Sequence, residues 1–190
     1  MLKNTYQSGI ISLFCSSGTK PLQIWDTKKS DDGILEIKNE DELTTPYLEI
    51  IGENIAENYI LCPAWSTKTL GITLPYFCMI VKPFDKFFSF EIQTKDDQGL
   101  IRRFRICNYQ SLTRVREEIC TLPLKLDTIW NHVQIDLADI TRKTYGTQYQ
   151  ETLRIQINAN CQLKRIWYCD KYVCEEDLPK DFRIYSKKKL

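Results

Sequence analysis

A chain of 190 residues that is 43% hydrophobic and 12% aromatic has enough apolar mass for one sizeable core, which excludes a disordered chain. Its net charge of +1 argues against a protein built to hold nucleic acid. That total hides a polarity: residues 1–100 carry nine lysines, no arginine and 14 carboxylates, whereas residues 101–190 carry eight lysines, nine arginines and 11 carboxylates.

The first apolar stretch, Ile10–Cys15, is too short for the core of a signal peptide, and no segment has the length to span a bilayer. A chain that is neither secreted nor in a membrane is therefore expected. Short runs with strand character follow: Leu22–Trp25, Ile34–Ile37, Leu48–Ile51, Tyr59–Cys62, Leu70–Thr73 and Phe77–Lys82. The polar, acidic stretch from Asp26 to Thr45 reads as loop around one of them, Ile34–Ile37. Phe88, Phe90 and Ile92 alternate with polar residues, as do Phe104 and Ile106. Val115–Leu122 reads as one strand. Val133, Ile135 and Leu137 alternate with His132, Gln134 and Asp136. Leu153, Ile155 and Ile157 do the same, and Gln162–Cys169 closes the series. Alternation of this kind puts one face in the core and one in water. Turn residues punctuate the runs at Asp32-Gly33, Gly52, Pro63, Gly71, Pro83, Asp97-Gln98-Gly99 and Asn158-Ala159-Asn160.

Two segments have helical character. Ala138–Tyr145 ends on Gly146, with Arg142 and Lys143 where cations suit the helix dipole. Cys174–Leu178 forms a turn stopped by Pro179. The chain thus predicts an all-β fold: an antiparallel jelly-roll β-sandwich with one or two short helices. Without repeats or a linker it predicts one domain, residues 1–186, and a basic tail, residues 187–190.

The chemistry-bearing residues are sparse. Eight cysteines occupy positions 15, 62, 78, 107, 120, 161, 169 and 174, with no CxxC pair, and several lie in apolar strands, as buried reduced thiols would. Cys161, Cys169 and Cys174 with His132 match no common zinc spacing, so no metal site is expected. Alternation turns His132, the sole histidine, away from Val133 and toward solvent, with no nucleophile motif beside it. The carboxylate pairs Asp96-Asp97 and Glu117-Glu118 and the run Glu175-Glu176-Asp177 fall at turns or strand ends, and no phosphate loop, GxSxG or HExxH is present. No catalytic or cofactor-binding residue is assigned.

The arginines are more informative. In LIRRFRICNYQSLTRVREEIC, Phe104 and Ile106 point inward, so Arg103 and Arg105 share the wet face. Val115 is expected to point inward likewise, leaving Arg114 and Arg116 outside. Pairing of Leu100–Asn108 with Thr113–Cys120 through the turn at Tyr109–Leu112 would bring the four together. They would then be balanced by a carboxylate-bearing partner or by internal salt bridges. Of Trp25, Trp65, Trp130 and Trp167, some could form a sugar-stacking platform, although aromatic rings more often fill sandwich cores. LDTIWNHVQIDLADI followed by LRIQINANCQLKRIWYCD resembles jelly-roll sugar-binding domains.

Five long stretches carry a closer resemblance: KNTYQSGIISLFCSSGTKPLQIWD, TLGITLPYFCMIVK, RRFRICNYQSLTRVREEICTLPLKLD, WNHVQIDLADITRKTYGTQYQETLRIQINANCQLKRIWYCD and DLPKDFRIY. They resemble the cilia- and flagella-associated protein 20 family, from Leu2 to Tyr185. The resemblance implies a non-enzymatic jelly-roll protein without cofactors, a microtubule inner protein of the axoneme. It would sit at the inner junction of doublet microtubules and bridge the A- and B-tubules. Its implied partners are α/β-tubulin, the Parkin co-regulated gene protein and other microtubule inner proteins. Its implied places are the axoneme and basal body, with nuclear occurrences, and its loss would disturb ciliary motility. No tubulin-contact residue follows from the motifs. Charge and expected exposure nominate Arg102, Arg103, Arg105, Arg114, Arg116, Arg142 and Lys143. Two other readings stand beside this one. One is a carbohydrate-binding module using Trp65 and Trp130; the other is a nuclear RNA- or transcription-associated adaptor.

Overall fold

The computed structural model describes residues 1–39 and 45–184. The basic tail expected at 187–190 lies outside them, as does part of the acidic stretch. Thirteen strands are formed among the described residues: β1 (Ile10–Cys15), β2 (Asp26–Lys28), β3 (Ile34–Asn39), β4 (Pro46–Ile51), β5 (Tyr59–Cys62), β6 (Tyr76–Pro83), β7 (Ser89–Asp96), β8 (Ile101–Cys107), β9 (Arg114–Val115), β10 (Ile119–Pro123), β11 (Asn131–Asp136), β12 (Tyr149–Asn158) and β13 (Cys161–Cys169). One helix, α1 (Leu137–Tyr145), follows β11, and short 3-10 turns occur at Glu175–Asp177 and Lys180–Phe182. No described helix is long and apolar enough to cross a membrane.

The strands form the two sheets of a jelly-roll sandwich. One runs β11-β6-β13-β4-β3, with β1 also paired to β13; the other runs β2-β5-β12-β7-β8-β10-β9. β13 is the hub of the first: it pairs with β6 along its length, with β4 through Cys161–Leu163 and with β1 through Arg165–Cys169. Between the sheets, Leu48, Ile50, Phe77, Met79 and Val81 meet Ile60, Phe90, Ile92, Phe104 and Ile155, all fully buried. Phe77 stacks on Phe90 at 5.6 Å between ring centres and ties the sheets together. Each such side chain contributes about 1.5–3 kcal/mol by leaving water.

Four local expectations change. Leu22–Trp25 is a turn, with the Trp25 amide donating to Leu22 O. Its indole instead buries edge-on against Phe14 and donates to Leu13 O. Leu70–Thr73 makes only a single bridge, Ile72 to Thr152, because Gly71 adopts φ +69° and breaks the extended run. Val115–Leu122 divides into β9 and β10. β10 runs parallel to β8, against the expectation of purely antiparallel pairing. The apolar stretch Ile10–Cys15, given no role above, is a full strand.

The helix forms as its sequence requires. Asp136 caps its start by accepting from the Asp139 amide, and Gly146, at φ 69°, ends it with a bond to Arg142 O. Leu137 opens the helix rather than extending β11, and with Thr141 it is buried.

The six-stranded sheet is covered on both faces. On its outer side Cys78, Ile80, Trp130, Trp167, Cys169 and Leu178 form a second core, closed by Val173, Phe182 and Ile184 of the C-terminal segment. A sheet buried on both sides reads as near-continuous apolar sequence, as in YFCMIV and RIWYC. His132 does face away from Val133, but that side is half-buried rather than open to solvent. Its ring stacks on Trp167 at 5.3 Å, and its Nε2 is buried without a protein partner. The expected solvent position is corrected accordingly.

A buried ion pair braces one end of the second sheet. Arg102 Nε lies 3.0 Å from Asp96 Oδ2, its NH1 donates to Glu117 O at 2.7 Å, and its guanidinium sits 4.2 Å from the Tyr145 ring centre. Asp96 also accepts from the amides of Gln98 and Leu100. Burial pushes the Asp96 carboxyl up. The Leu100 amide and the Arg102 guanidinium outweigh that and hold it below its ordinary value.

Three outcomes follow for purified protein. Arg102→Met leaves Asp96 buried and unpaired and should cost about 3–5 kcal/mol by urea denaturation, with much of the loss recovered in the Asp96→Asn/Arg102→Met double variant. Trp167→Ala should cost about 3–5 kcal/mol through the cavity it opens under the C-terminal segment. The third concerns pH. Burial lowers the His132 pKa, only partly countered by Glu175, so the unfolded chain binds this proton more tightly than the folded one. The stability His132 contributes is complete above the unfolded value, about pH 6.5, and is lost as the pH falls toward its lowered folded value. The urea midpoint should therefore drop between about pH 7.5 and 5.5, and His132→Phe should flatten that dependence.

Candidate functional site

The polar residues that alternate with the core of the seven-stranded sheet emerge together on its outer face. Cross-strand register aligns them in rows. Leu61, Gln156, Glu91, Arg105, Thr121 and Arg114 lie opposite one another in sequence across six strands. The next row is Arg154, Gln93, Arg103 and Ile119.

A single carboxylate serves two arginines on this face. Glu91 accepts from Arg105 at 2.7 Å and lies 3.5 Å from Arg103 Nε. Arg114 and Arg116 are exposed and have no carboxylate within 4 Å among the described residues. Arg154 donates to the carbonyls of Pro63, Trp65 and Lys68, stapling that loop to the sheet edge. Positive charge therefore exceeds negative charge along the rows, with Glu117 and Glu118 at the rim. Two shallow clefts share Gln93 and Arg103. One, of about 210 Å³, is also lined by Leu61, Glu91, Arg154 and Gln156; the other, of about 500 Å³, by Leu100, Ile101, Glu117 and Ile119.

The four arginines of the expected hairpin are gathered, but by a different route. β9 does not pair with β8. β10 lies between them, so Thr121 separates Arg105 from Arg114. Val115 is 53% exposed rather than inward, because β9 is a two-residue edge with nothing packed over it. Arg102 is corrected outright. It shares strand parity with Phe104 and Ile106, points inward and is spent on Asp96 and Glu117 O. Arg142 and Lys143 are exposed on α1 and share Asp139, at 2.6 and 2.5 Å. Those contacts, Lys143 first, hold the Asp139 carboxyl below its ordinary value. The helix end adjoins the arginine face, where Tyr145 donates to Arg116 O at 3.3 Å.

Sequence reasoning left Glu91, Gln93, Arg154 and Gln156 without a role. Their signal was present in the alternation of SFEIQ and LRIQI, but only the strand order makes them neighbours. For the sugar-platform reading, Trp130 is 5% exposed and belongs to the second core, whereas Trp65 is 45% exposed with Lys68 over its ring at 5.0 Å. Trp25 and Trp167 are buried. Among the described residues no three His, Cys, Asp or Glu side chains gather as metal ligands.

Comparison with known proteins shows the family of the chain. The CFA20 domain model matches residues 1–186. Cilia- and flagella-associated protein 20 of Chlamydomonas reinhardtii is 49% identical over 185 residues, 97% of this chain and 97% of the relative. The Caenorhabditis elegans protein of that name is 49% identical over 97% of this chain and 91% of its own length. That of Paramecium tetraurelia is 48% identical over 97% and 96%. Similar solved structures are β-sandwich carbohydrate-binding modules of Clostridium thermocellum cellulases. A family 30 module covers 86% of this chain and 99% of its own at TM-score 0.49, and a family 11 module covers 86% and 96% at TM-score 0.45, each at 12% identity. At that distance the likeness carries no argument about fold or ligands. With a family model spanning residues 1–186 and relatives identical at about half of their positions along nearly the whole chain, the chain belongs to the CFA20 domain family.

Proposed function

We propose that the chain is a non-enzymatic structural protein of cilia and flagella. In this reading it is a microtubule inner protein at the inner junction of axonemal doublets. There it bridges the A- and B-tubules and supports motility, with occurrences at basal bodies and in the nucleus. The observation that carries the reading is the match to relatives named cilia- and flagella-associated protein 20 over 97% of the chain.

The arginine face supplies a physical means. Arg103, Arg105, Arg114 and Arg116 form its charged centre, and Arg142 and Lys143 extend it along α1. Tubulin's acidic surface is the complement such a face selects, since matched potentials speed encounter and fix orientation. Arg102 acts one layer below, holding the turns that display its neighbours. The Parkin co-regulated gene protein and other inner proteins complete the set of proposed partners, and no residue of this chain is assigned to them.

Purified wild-type protein should co-sediment with microtubules, and the bound fraction should fall as salt rises. Changing Arg103, Arg105, Arg114 and Arg116 together to Glu should weaken binding by about tenfold or more. The variant should keep its circular dichroism spectrum and melting temperature within a few degrees. A quadruple variant that still docks in the doublet would rule out this face as the contact.

A further inference from the structure

A second concentration of positive charge lies on the other sheet, and the proposed microtubule contact does not use it. β1 ends at Cys15 beside Arg165 of β13, and the chain turns through Ser16 to Gly18. The C-terminal segment passes the same place at Lys180–Ile184. These elements and the start of β4 enclose a cleft of about 310 Å³, lined among others by Ser17, Pro46, Lys164, Arg165, Lys180 and Arg183. Among the described residues, Asp181 is the one carboxylate residue in its lining.

The cations are positioned rather than merely crowded. Arg165 lies 3.7 Å from the Phe182 ring centre, its NH1 donates to Asp181 O at 2.7 Å, and its Nε is buried without a protein partner. Arg183 donates to the carbonyls of Leu178 and Glu176. Lys164 sits 4.1 Å from the Trp130 ring centre. The carbonyls that hold the arginines are neutral, so they fix the guanidinium groups without cancelling their charge. Among the described residues Arg165, Lys180 and Arg183 have no carboxylate within 4 Å. Three uncompensated cations from two elements around one partly enclosed space call for an anion.

The chemistry narrows the anion. Two planar guanidinium forks and lysine ammonium groups suit the tetrahedral oxygens of phosphate. The volume is at the small end of ligand pockets. Among the described residues no aromatic side chain lines the cleft, so it offers no ring on which a nucleobase would stack. We infer that this cleft is an anion site for a compact phosphate-bearing small molecule, of which pyrophosphate is the simplest representative. Two of the cations belong to the segment that closes the second core. Occupancy therefore ties that segment to β13, and the ligand stabilises the fold by mass action.

The test uses the full chain and sodium pyrophosphate, by isothermal titration calorimetry and thermal melting, against sodium chloride at matched ionic strength. Saturable binding at one site per chain is expected, with a rise in melting temperature that chloride does not reproduce. The Lys180 side chain is exposed and makes no protein hydrogen bond among the described contacts, so Lys180→Glu should fold normally and weaken binding by about tenfold or more. Lys86→Glu makes the same charge change outside the cleft and should leave the affinity unchanged. Absence of saturable binding, an equal rise with chloride, or equal weakening by both variants would overturn the proposal.

Discussion

The Arg102–Asp96 pair is the constraint on which the outer face of the seven-stranded sheet depends. An arginine buried at the end of a strand must find its charge partner and use its remaining donors, or the fold loses several kcal/mol. It does both: Asp96 takes Nε, and Glu117 O takes NH1. The second bond, with that of the Arg103 amide to Glu118 O, draws the β9–β10 turn against β8. β10 is thereby held parallel to β8, and β9 can only follow as the outermost strand. The positions of Arg103, Arg105, Arg114 and Arg116 are consequences of that arrangement. The brace lies directly beneath the charges it organises.

The polarity of the chain acquires a different meaning in three dimensions. The acidic first half and the arginine-rich second half do not form two faces. β5 and β7, from the first half, flank β12 from the second, and β4 and β6 flank β13. Glu91, from the acidic half, is the carboxylate shared by Arg103 and Arg105. Charge segregated along the sequence becomes charge paired across strands, and what is left over is local. One surplus lies on the outer rows of the larger sheet, the other beside the C-terminal segment.

Alternation made much of the fold legible. It marked β7, β8, β11 and β12, strands drawn from both sheets, and correctly paired Val133 with the interior and Arg103 with the exterior. It also carried the answer for Arg102, whose parity matches Phe104 and Ile106. Charge alone suggested otherwise, because a buried arginine is defined by a partner six residues away that no periodicity reveals. His132 shows the complementary gap. Parity gives the side of a sheet, not what covers it. The cover here comes from Val173, Leu178 and Phe182, a segment with no strand pattern of its own. Parallel pairing of β8 with β10 was hidden for a similar reason. The short connection between them suits a hairpin, and only the intervening β9 allows the chain to re-enter in the same direction. Of the candidate face, the arginines could be found from composition, whereas Glu91, Gln93, Arg154 and Gln156 required the strand order.

β13 is the central partner of β1, β4 and β6, yet it is nearly the last regular element of the chain. On the ribosome, residues 10–83 therefore emerge with their sheet lacking the strand that joins it. Those edges stay unpaired until Cys161–Cys169 has left the exit tunnel, and such edges invite association with other chains. The first strand must wait for the thirteenth across about 150 residues, a separation that makes closure slow. The sheet thus closes late and nearly all at once, and a nascent chain stopped short of residue 170 would present the cell with an open sheet rather than a smaller version of the fold.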